Sequence, residues 1–267
     1  MRTTVSDVSV LWAAPDHPAL VAAAVDVAAA DGHTYLARLI SSPPGEGHPP
    51  LVSDLFRGSL EADYPATAGY VLHLSHFHHP WTHRGYAGWC LSAARALERV
   101  FQDGLTLWRR DRRNEAAYEL GRATHLLVDV WIPHHAAGVA GCGHGEFEGW
   151  LADGGRWRDF APGSGGRYQW QAVFHPPRAG PPHVLDWRSP ADWVDLAAHE
   201  SFPWYELYLN LCRHPEARDA FPRAAAHLVP GAIRYLAGFL HYFFTLALDD
   251  PFPGDRPGWG TARGREP

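Results

Sequence analysis

The sequence predicts an all-α protein of the multi-helix bundle type, in which residues 1–250 form a single domain. Apolar residues recur at helical spacing in several segments, most strongly over residues 114–131 and again over about 86–103. No segment alternates apolar and polar residues, and no Asn-Gly-type turn separates two apolar runs, so no β-hairpin is expected. Hydrophobic residues make up 46% of the 267 residues, which is enough for a sizeable core.

The N-terminal half contains four predicted helices. The first begins at Asp16, an N-cap residue type followed by Pro18 in the first turn, and the Asp-Gly pair at 31–32 ends it. A second covers about 52–61, and an irregular histidine-rich stretch, 63–83, separates it from the third. The charged connector WRRDRRNE, which we interpret as a solvated turn, precedes the strongest helix.

The C-terminal half is less regular. Residues 153–188 are rich in Gly, Pro and aromatic residues, and we predict a long excursion or lid there rather than a regular element. The capping-box-like pattern Ser-Pro-Ala-Asp then starts a helix that reaches about residue 213, with a kink expected at Pro203. The last apolar helix covers about 231–249, and the tail 251–267 is expected to be disordered.

The stretch 124–150 contains two pairs of metal-ligand residue types with the same spacing. His125 and Asp129 form one pair, and His144 and Glu148 form the other. Residues four apart on a helix lie on one face, so each pair can present an imidazole and a carboxylate to a single point. Zinc takes such ligands and activates water, although iron or manganese also binds them. Two pairs so close together predict a polynuclear metal site.

These pairs, with flanking residues scattered over 12–200, resemble the zinc-dependent phospholipase C family, which also includes the fungal-type single-strand zinc nucleases. That family is all-α and holds a trinuclear zinc cluster. Its ligands follow the order N-terminal Trp, His, Asp, His, HxxxD, a His six residues later, and HxxxE or HxxxD. The matching residues here are His17, Asp63 in LEADY, His76 in SHFHHP, His125 and Asp129, His135, and His144 and Glu148.

The resemblance implies that these side chains divide among two or three zinc ions. One ion would take Asp63, His76, His125 and Asp129, a second would take His135, His144 and Glu148, and a third would take His17, Asp129 and the N-terminal Trp. The chain departs from the family at Trp12, a possible ligand that lies five residues before His17 but is internal. An internal Trp has no free amine to donate, so the sequence leaves the third ion open.

Each ligand position also has an ordinary interpretation. His17 could be a plain helix residue, and Asp63 could be a turn or cap residue. His135 is preferred to His134 because of its distance from the HxxxD pair, and Glu146 is expected to face away from the second pair. The match to SHFxxP selects His76. We expect the other histidines of this segment to lie outside the ligand set; they are His73, His78, His79 and His83.

The resemblance implies hydrolysis of a phosphoester by metal-activated water, without a side-chain nucleophile. Asp63 is the residue expected to orient or deprotonate that water. Tyr64 and His73 are the expected substrate contacts, and since the phospholipase branch has an aromatic residue where His73 stands, a preference for choline is left open. The net charge of −6 disfavours a stable nucleic-acid complex, so a small phosphoester or a phospholipid is the expected substrate.

Three other functions fit the same residues. A single-strand nuclease or nucleotidase of the same family would stack a base on an aromatic side chain. A metal-dependent biosynthetic enzyme would use the same ions on a non-phosphate substrate. A metal-stabilised binding module ranks last, because the predicted ligands leave coordination positions open, as catalytic sites do.

The three cysteines, Cys90, Cys142 and Cys212, are far apart in the sequence and odd in number, so we expect no disulfide scaffold. Cys142 stands two residues before His144 and could be a ligand, although a small residue in a tight Gly loop is the favoured interpretation. No signal peptide or membrane-spanning apolar run is visible, so a soluble cytoplasmic protein is expected, whereas the resembled family is mostly exported.

Overall fold

The computed structural model describes residues 16–43, 45, 47–64 and 75–248, and within these ranges the chain forms nine α-helices and one two-stranded sheet. The all-α prediction is therefore confirmed. The predicted positions Trp12 and His73 and the tail 251–267 lie outside the described residues. The helices are α1 (Asp16–Ala30), α2 (Thr34–Ser41), α3 (Leu51–Glu61), α4 (Ala93–Arg109), α5 (Arg113–Asp129), α6 (Pro133–Ala137), α7 (His144–Ala152), α8 (Pro190–Trp204) and α9 (Phe221–Ala247).

The core is built around α9, a 27-residue helix with a broad apolar surface. Aromatic rings from α9 pack against α4, where Phe101 meets Phe239 at a centroid distance of 5.4 Å and Phe243 edge-on at 5.3 Å. Trp193 of α8 is fully buried and contacts Phe239 at 5.7 Å. Such edge-to-face pairs add to the stabilisation that apolar burial already gives. None of the described helices is both long and apolar enough to cross a membrane.

Two glycines bring α3 and α5 unusually close together. A Cβ atom on Gly121 would lie 2.1 Å from the Leu55 carbonyl oxygen, and one on Gly58 would lie 2.0 Å from the Tyr118 carbonyl oxygen. No side chain fits at such distances, so the two backbones pack directly against each other. The contact sets the position of the C-terminal end of α5, which carries His125 and Asp129.

The predicted helix over 86–103 begins seven residues later than expected, at Ala93. Residues Tyr86–Gly88 form a short 3-10 turn instead, in which Ala87 has φ +50° and Gly88 has φ +79°. These left-handed conformations interrupt a helix. Trp89, an apolar residue within the predicted range, is 76% exposed.

The expectation that residues 153–188 contain no regular element is wrong. Asp153–Phe160 form a 3-10 segment, and β1 (Gln171–Phe174) pairs antiparallel with β2 (His183–Asp186). Val173 faces Val184 across the pair, and both side chains are exposed. The strands are only four residues long, which is too short for an alternating pattern to stand out in the sequence.

The last two helices also differ from the prediction. Helix α8 ends at Trp204, one residue after Pro203, and a π-helical turn, Tyr205–Leu209, follows it, so the predicted extension to residue 213 is wrong. Helix α9 begins ten residues earlier than predicted and includes Pro230. Proline removes one helical hydrogen bond, which the packing of a long buried helix offsets here.

We expect Gly121→Ala to destabilise the protein by about 2–4 kcal/mol, because the added methyl group forces α3 and α5 apart. Denaturant unfolding measures this change. Gly149→Ala is the matched control, since a Cβ atom on this helical glycine meets no atom within 4 Å and alanine is the better helix former. Equal stability of the Gly121→Ala variant and the unaltered protein would contradict the close packing.

Candidate metal centre

Four predicted ligands come together between α3, α5 and the segment at residue 76. One ligand atom from each of Asp63, His76, His125 and Asp129 lies within 4.8 Å of the others. The Nε2 atom of His125 is 3.1 Å from Asp129 Oδ2, 3.3 Å from Asp63 Oδ1 and 3.2 Å from His76 Nδ1. The Nδ1 atom of His76 also contacts Asp129 Oδ2 closely. A nitrogen carries at most one hydrogen, so hydrogen bonding cannot satisfy all the contacts of His125.

A second group lies beside the first and consists of His135, His144 and Glu148. The two Nε2 atoms of the histidines are 2.9 Å apart, and Glu148 Oε1 is 3.0 Å from the nitrogen of His144 and 3.4 Å from that of His135. His144 is the first residue of α7, and Gly143 before it has φ +101°, a conformation that glycine adopts without strain. This turn directs the pair His144/Glu148 toward His135.

Backbone carbonyl groups set the tautomers of two of these histidines. His125 Nδ1 is 2.7 Å from the Ser59 carbonyl oxygen, and His135 Nδ1 is 2.9 Å from that of His76. A carbonyl oxygen only accepts, so each Nδ1 donates its hydrogen there. In the neutral imidazole this leaves the Nε2 lone pair directed at carboxylate oxygens, a repulsive arrangement that either a proton or a bound cation would relieve. Metal-binding histidines are held by outer hydrogen bonds of this kind.

His17 of α1 also contacts the first group, at His125 and Asp129. Its ring stacks on that of His125 at a centroid distance of 3.9 Å, and its Nε2 atom is 3.4 Å from Asp129 Oδ1. The two oxygens of Asp129 therefore face different histidines, as a carboxylate that bridges two ions would. Trp12, the remaining candidate for this position, lies outside the described residues.

The charges of the site suit a cation. Burial, together with the nearby His125, lowers the pKa of His17 to about 4, so His17 is neutral at pH 7. Burial raises the pKa of Asp129, but His125 and His76 outweigh it and hold this pKa well below its usual value. Burial also raises the pKa of Glu148, but the hydrogen bonds with His135 and His144 outweigh burial and lower this pKa below its usual value. The carboxylates are therefore ionised, and they form an anionic pocket lined with imidazole nitrogens.

The residues that we expected outside the ligand set point elsewhere. His134 Nε2 lies 3.1 Å from the Leu209 carbonyl oxygen and 3.3 Å from that of Cys142, whereas His135 belongs to the second group of candidate ligands. Glu146 is exposed and lies 4.0 Å from the Arg218 guanidinium. Tyr64 follows Asp63 and is 45% exposed, so it lies at the surface beside the first group.

Cys142 and Cys212 form a disulfide bond, which the sequence did not predict, while Cys90 is free. The sulfur of Cys142 is therefore not a metal ligand. The bond joins two loops that also share a backbone hydrogen bond, from the N–H of Leu211 to the Cys142 carbonyl oxygen at 2.7 Å. The two cysteines are 70 residues apart, so no local sequence pattern indicates the pair.

Sequence reasoning also missed a third group of metal-ligand residue types, formed by His78, His83 and Asp195. The two histidines were expected to lie outside any ligand set. Asp195 went unnoticed, although it stands four residues before His199 on one helix, the spacing of the other ligand pairs.

Comparison with known proteins gives a structural relationship but no sequence family. No protein-family model and no curated protein matches the chain. Among solved structures, the alpha-toxin from Clostridium absonum superimposes with a TM-score of 0.62 at 18% sequence identity, covering 86% of this chain and 62% of the toxin. The alpha-toxin of Clostridium perfringens from an avian strain gives 0.59 at 18% identity, covering 89% and 64%. The chain thus spans less than two thirds of either toxin, and the likeness shows a shared all-α fold.

We expect removal of bound metal to lower the melting temperature by several degrees. The ligands come from separate elements, so metal binding stabilises the folded state, by about 4 kcal/mol when the free metal is at a thousand times its dissociation constant. Thermal unfolding with and without a chelator, followed by circular dichroism, measures the effect. The Asp129→Asn variant serves as control and should respond less. The same melting temperature in both conditions would rule out metal-dependent stabilisation.

Proposed function

We propose that this protein is a zinc-dependent phosphoester hydrolase of the phospholipase C type, acting on a small phosphoester or a phospholipid. The arrangement of His125 and His135 supports it best: their Nδ1 atoms donate to backbone carbonyls while their Nε2 atoms face carboxylates. The fold shared with the alpha-toxins and the sequence resemblance to the zinc-dependent phospholipase C family support the same conclusion.

The donor set fits zinc. Each group combines imidazole nitrogens with carboxylate oxygens, which are ligands that zinc, iron and manganese accept. The first group has the composition of two histidines and two aspartates, and the second has two histidines and one glutamate. We propose that these residues hold two ions, and that His17 and Asp129 belong to a third site.

Zinc bound in these groups would act as a Lewis acid toward a phosphate and would lower the pKa of a water molecule. Asp63 is the most exposed of the proposed ligands, because its side chain is 12% exposed, that of His144 is 9% exposed, and those of His125 and Asp129 are fully buried. We assign Asp63 the task of orienting the attacking water and accepting its proton. Burial raises the pKa of Asp63, but His125 outweighs it and lowers this pKa below its usual value, so the carboxylate is ionised.

The substrate would enter on the side of Asp63, where Tyr64 offers an exposed aromatic face. A ring at this position suits a lipid head group or a nucleobase. The net charge of −6 favours a small substrate over a long nucleic acid, although single-strand cleavage stays the second candidate. The disulfide between Cys142 and Cys212 is typical of an oxidising compartment, so we propose such a location rather than the cytoplasm.

Zinc-loaded protein should hydrolyse phosphatidylcholine or a soluble phosphodiester faster than single-stranded DNA. We expect Asp129→Asn to lower activity by at least about 100-fold and to lower zinc content, because this carboxylate contacts His125 of the first group and His17 of the proposed third site. Glu146→Gln, a control on the exposed face of α7, should retain both. Elemental analysis and an assay panel measure these quantities.

Two results would contradict the proposal in different ways. Full zinc content and full activity in Asp129→Asn would refute the metal cluster. Full zinc content in the unaltered protein, with no activity on diesters, monoesters or DNA, would refute phosphoester hydrolysis and favour a non-phosphate substrate.

A further inference from the structure

We infer that the protein has an additional, separate site for one divalent transition-metal ion, with His78, His83 and Asp195 as its ligands. The site lies where the histidine-rich segment meets α8, and it shares no residue with the proposed hydrolytic centre. Zinc fits its two imidazole nitrogens and one carboxylate oxygen best, and three protein ligands leave a position open for water.

The geometry converges on Asp195. Its Oδ1 atom lies 2.6 Å from His78 Nε2 and 2.9 Å from His83 Nδ1, and the three ligand atoms lie within 4.8 Å of one another. His78 and Asp195 are buried, whereas the side chain of His83 is 47% exposed. The site is therefore closed on the protein side and open to solvent at His83, which gives an ion a path of entry.

Two more imidazoles surround these ligands. His199 lies one turn after Asp195 on α8, and its ring is 5.6 Å from that of His183 of β2, which is itself 5.1 Å from His83. Nε2 of His199 is buried and has no hydrogen-bond partner among the described residues. His199 is thus a neighbouring imidazole with an unpartnered nitrogen, and it lies outside the three-ligand group.

Aromatic rings lie next to the group. Phe174 of β1 stacks on His199 at a centroid distance of 3.9 Å, and Trp81 meets the same imidazole edge-on at 4.4 Å. The β1–β2 hairpin therefore packs against the imidazoles beside the group and leaves the group open to solvent at His83. A buried carboxylate at the centre disfavours an anionic ligand, so the shape and charge select a cation.

A bound ion would tie two separated parts of the chain together, the histidine-rich segment and α8. His78 and Asp195 are 117 residues apart, and the backbone N–H of His78 donates to the His135 carbonyl oxygen at 3.0 Å. The ion would thereby hold the segment that carries His76 against α8. Its contribution is to position this segment, and it needs no contact with substrate.

The test is a Co²⁺ titration of metal-stripped protein, followed by visible absorption and equilibrium dialysis. His83→Ala should bind one ion fewer than the unaltered protein, and His83→Gln should lower the affinity for that ion at least 10-fold. Because His83 is half exposed, these variants should keep their circular dichroism spectra. His227→Ala is the matched control, since His227 is similarly exposed and lies 3.8 Å from a single carboxylate, that of Glu200.

The Asp129→Asn background separates this inference from the proposed function. In that background, adding His83→Ala should lower the measured Co²⁺ stoichiometry by one ion, even if the hydrolytic centre no longer binds metal. Equal Co²⁺ stoichiometry and affinity in His83→Ala, His227→Ala and the unaltered protein would overturn the additional site. Such a result would mean that Asp195 only accepts hydrogen bonds from the two histidines.

Discussion

Asp129 and Glu148 are fully buried, and Asp63 is nearly so. Removing an ionised carboxylate from water costs several kcal/mol unless an opposite charge accompanies it. The ion-pair partners found within 4 Å of Asp129 and Glu148 in the described part of the chain are histidines, and no Arg is among them. The balance of charge around these carboxylates is the constraint on which the rest of the molecule depends, and a bound divalent cation would satisfy it.

The surrounding fold supports this balance. The glycine contact between α3 and α5 brings the Ser59 carbonyl within reach of His125, and that hydrogen bond directs the imidazole toward Asp129. Phe77 stacks on His135 at 4.5 Å and fixes the ring that the His76 carbonyl orients. The ligands are therefore held by backbone and aromatic contacts before any ion binds, which is the preorganisation that a catalytic site requires.

Most of the correct predictions about the site came from the spacing of residues within a single helix. The pairs His125/Asp129 and His144/Glu148 depend only on helix periodicity, so the sequence places each pair on one face without knowledge of the fold. Their mutual approach, and that of Asp63, could be inferred only from the order of ligands in a resembled family. The structure brings them together as that order implies, although the metals themselves stay proposals.

The errors have a common physical origin. The Cys142–Cys212 bond joins residues 70 apart, and the approach of His78 to Asp195 spans 117 residues, so neither has a local signature. The late start of α4 depends on left-handed residues at 87 and 88, which propensity does not reveal for alanine. Trp89 lies within the apolar spacing of the predicted helix, yet tertiary packing leaves it exposed.

The central claim is that imidazole nitrogens and carboxylates of two adjacent groups bind metal ions. A crystal structure of protein grown with zinc, with diffraction measured on both sides of the zinc absorption edge, tests it directly. We predict anomalous peaks among Asp63, His76, His125 and Asp129 and among His135, His144 and Glu148. Well-ordered ligand side chains with no anomalous peak between them would contradict the account.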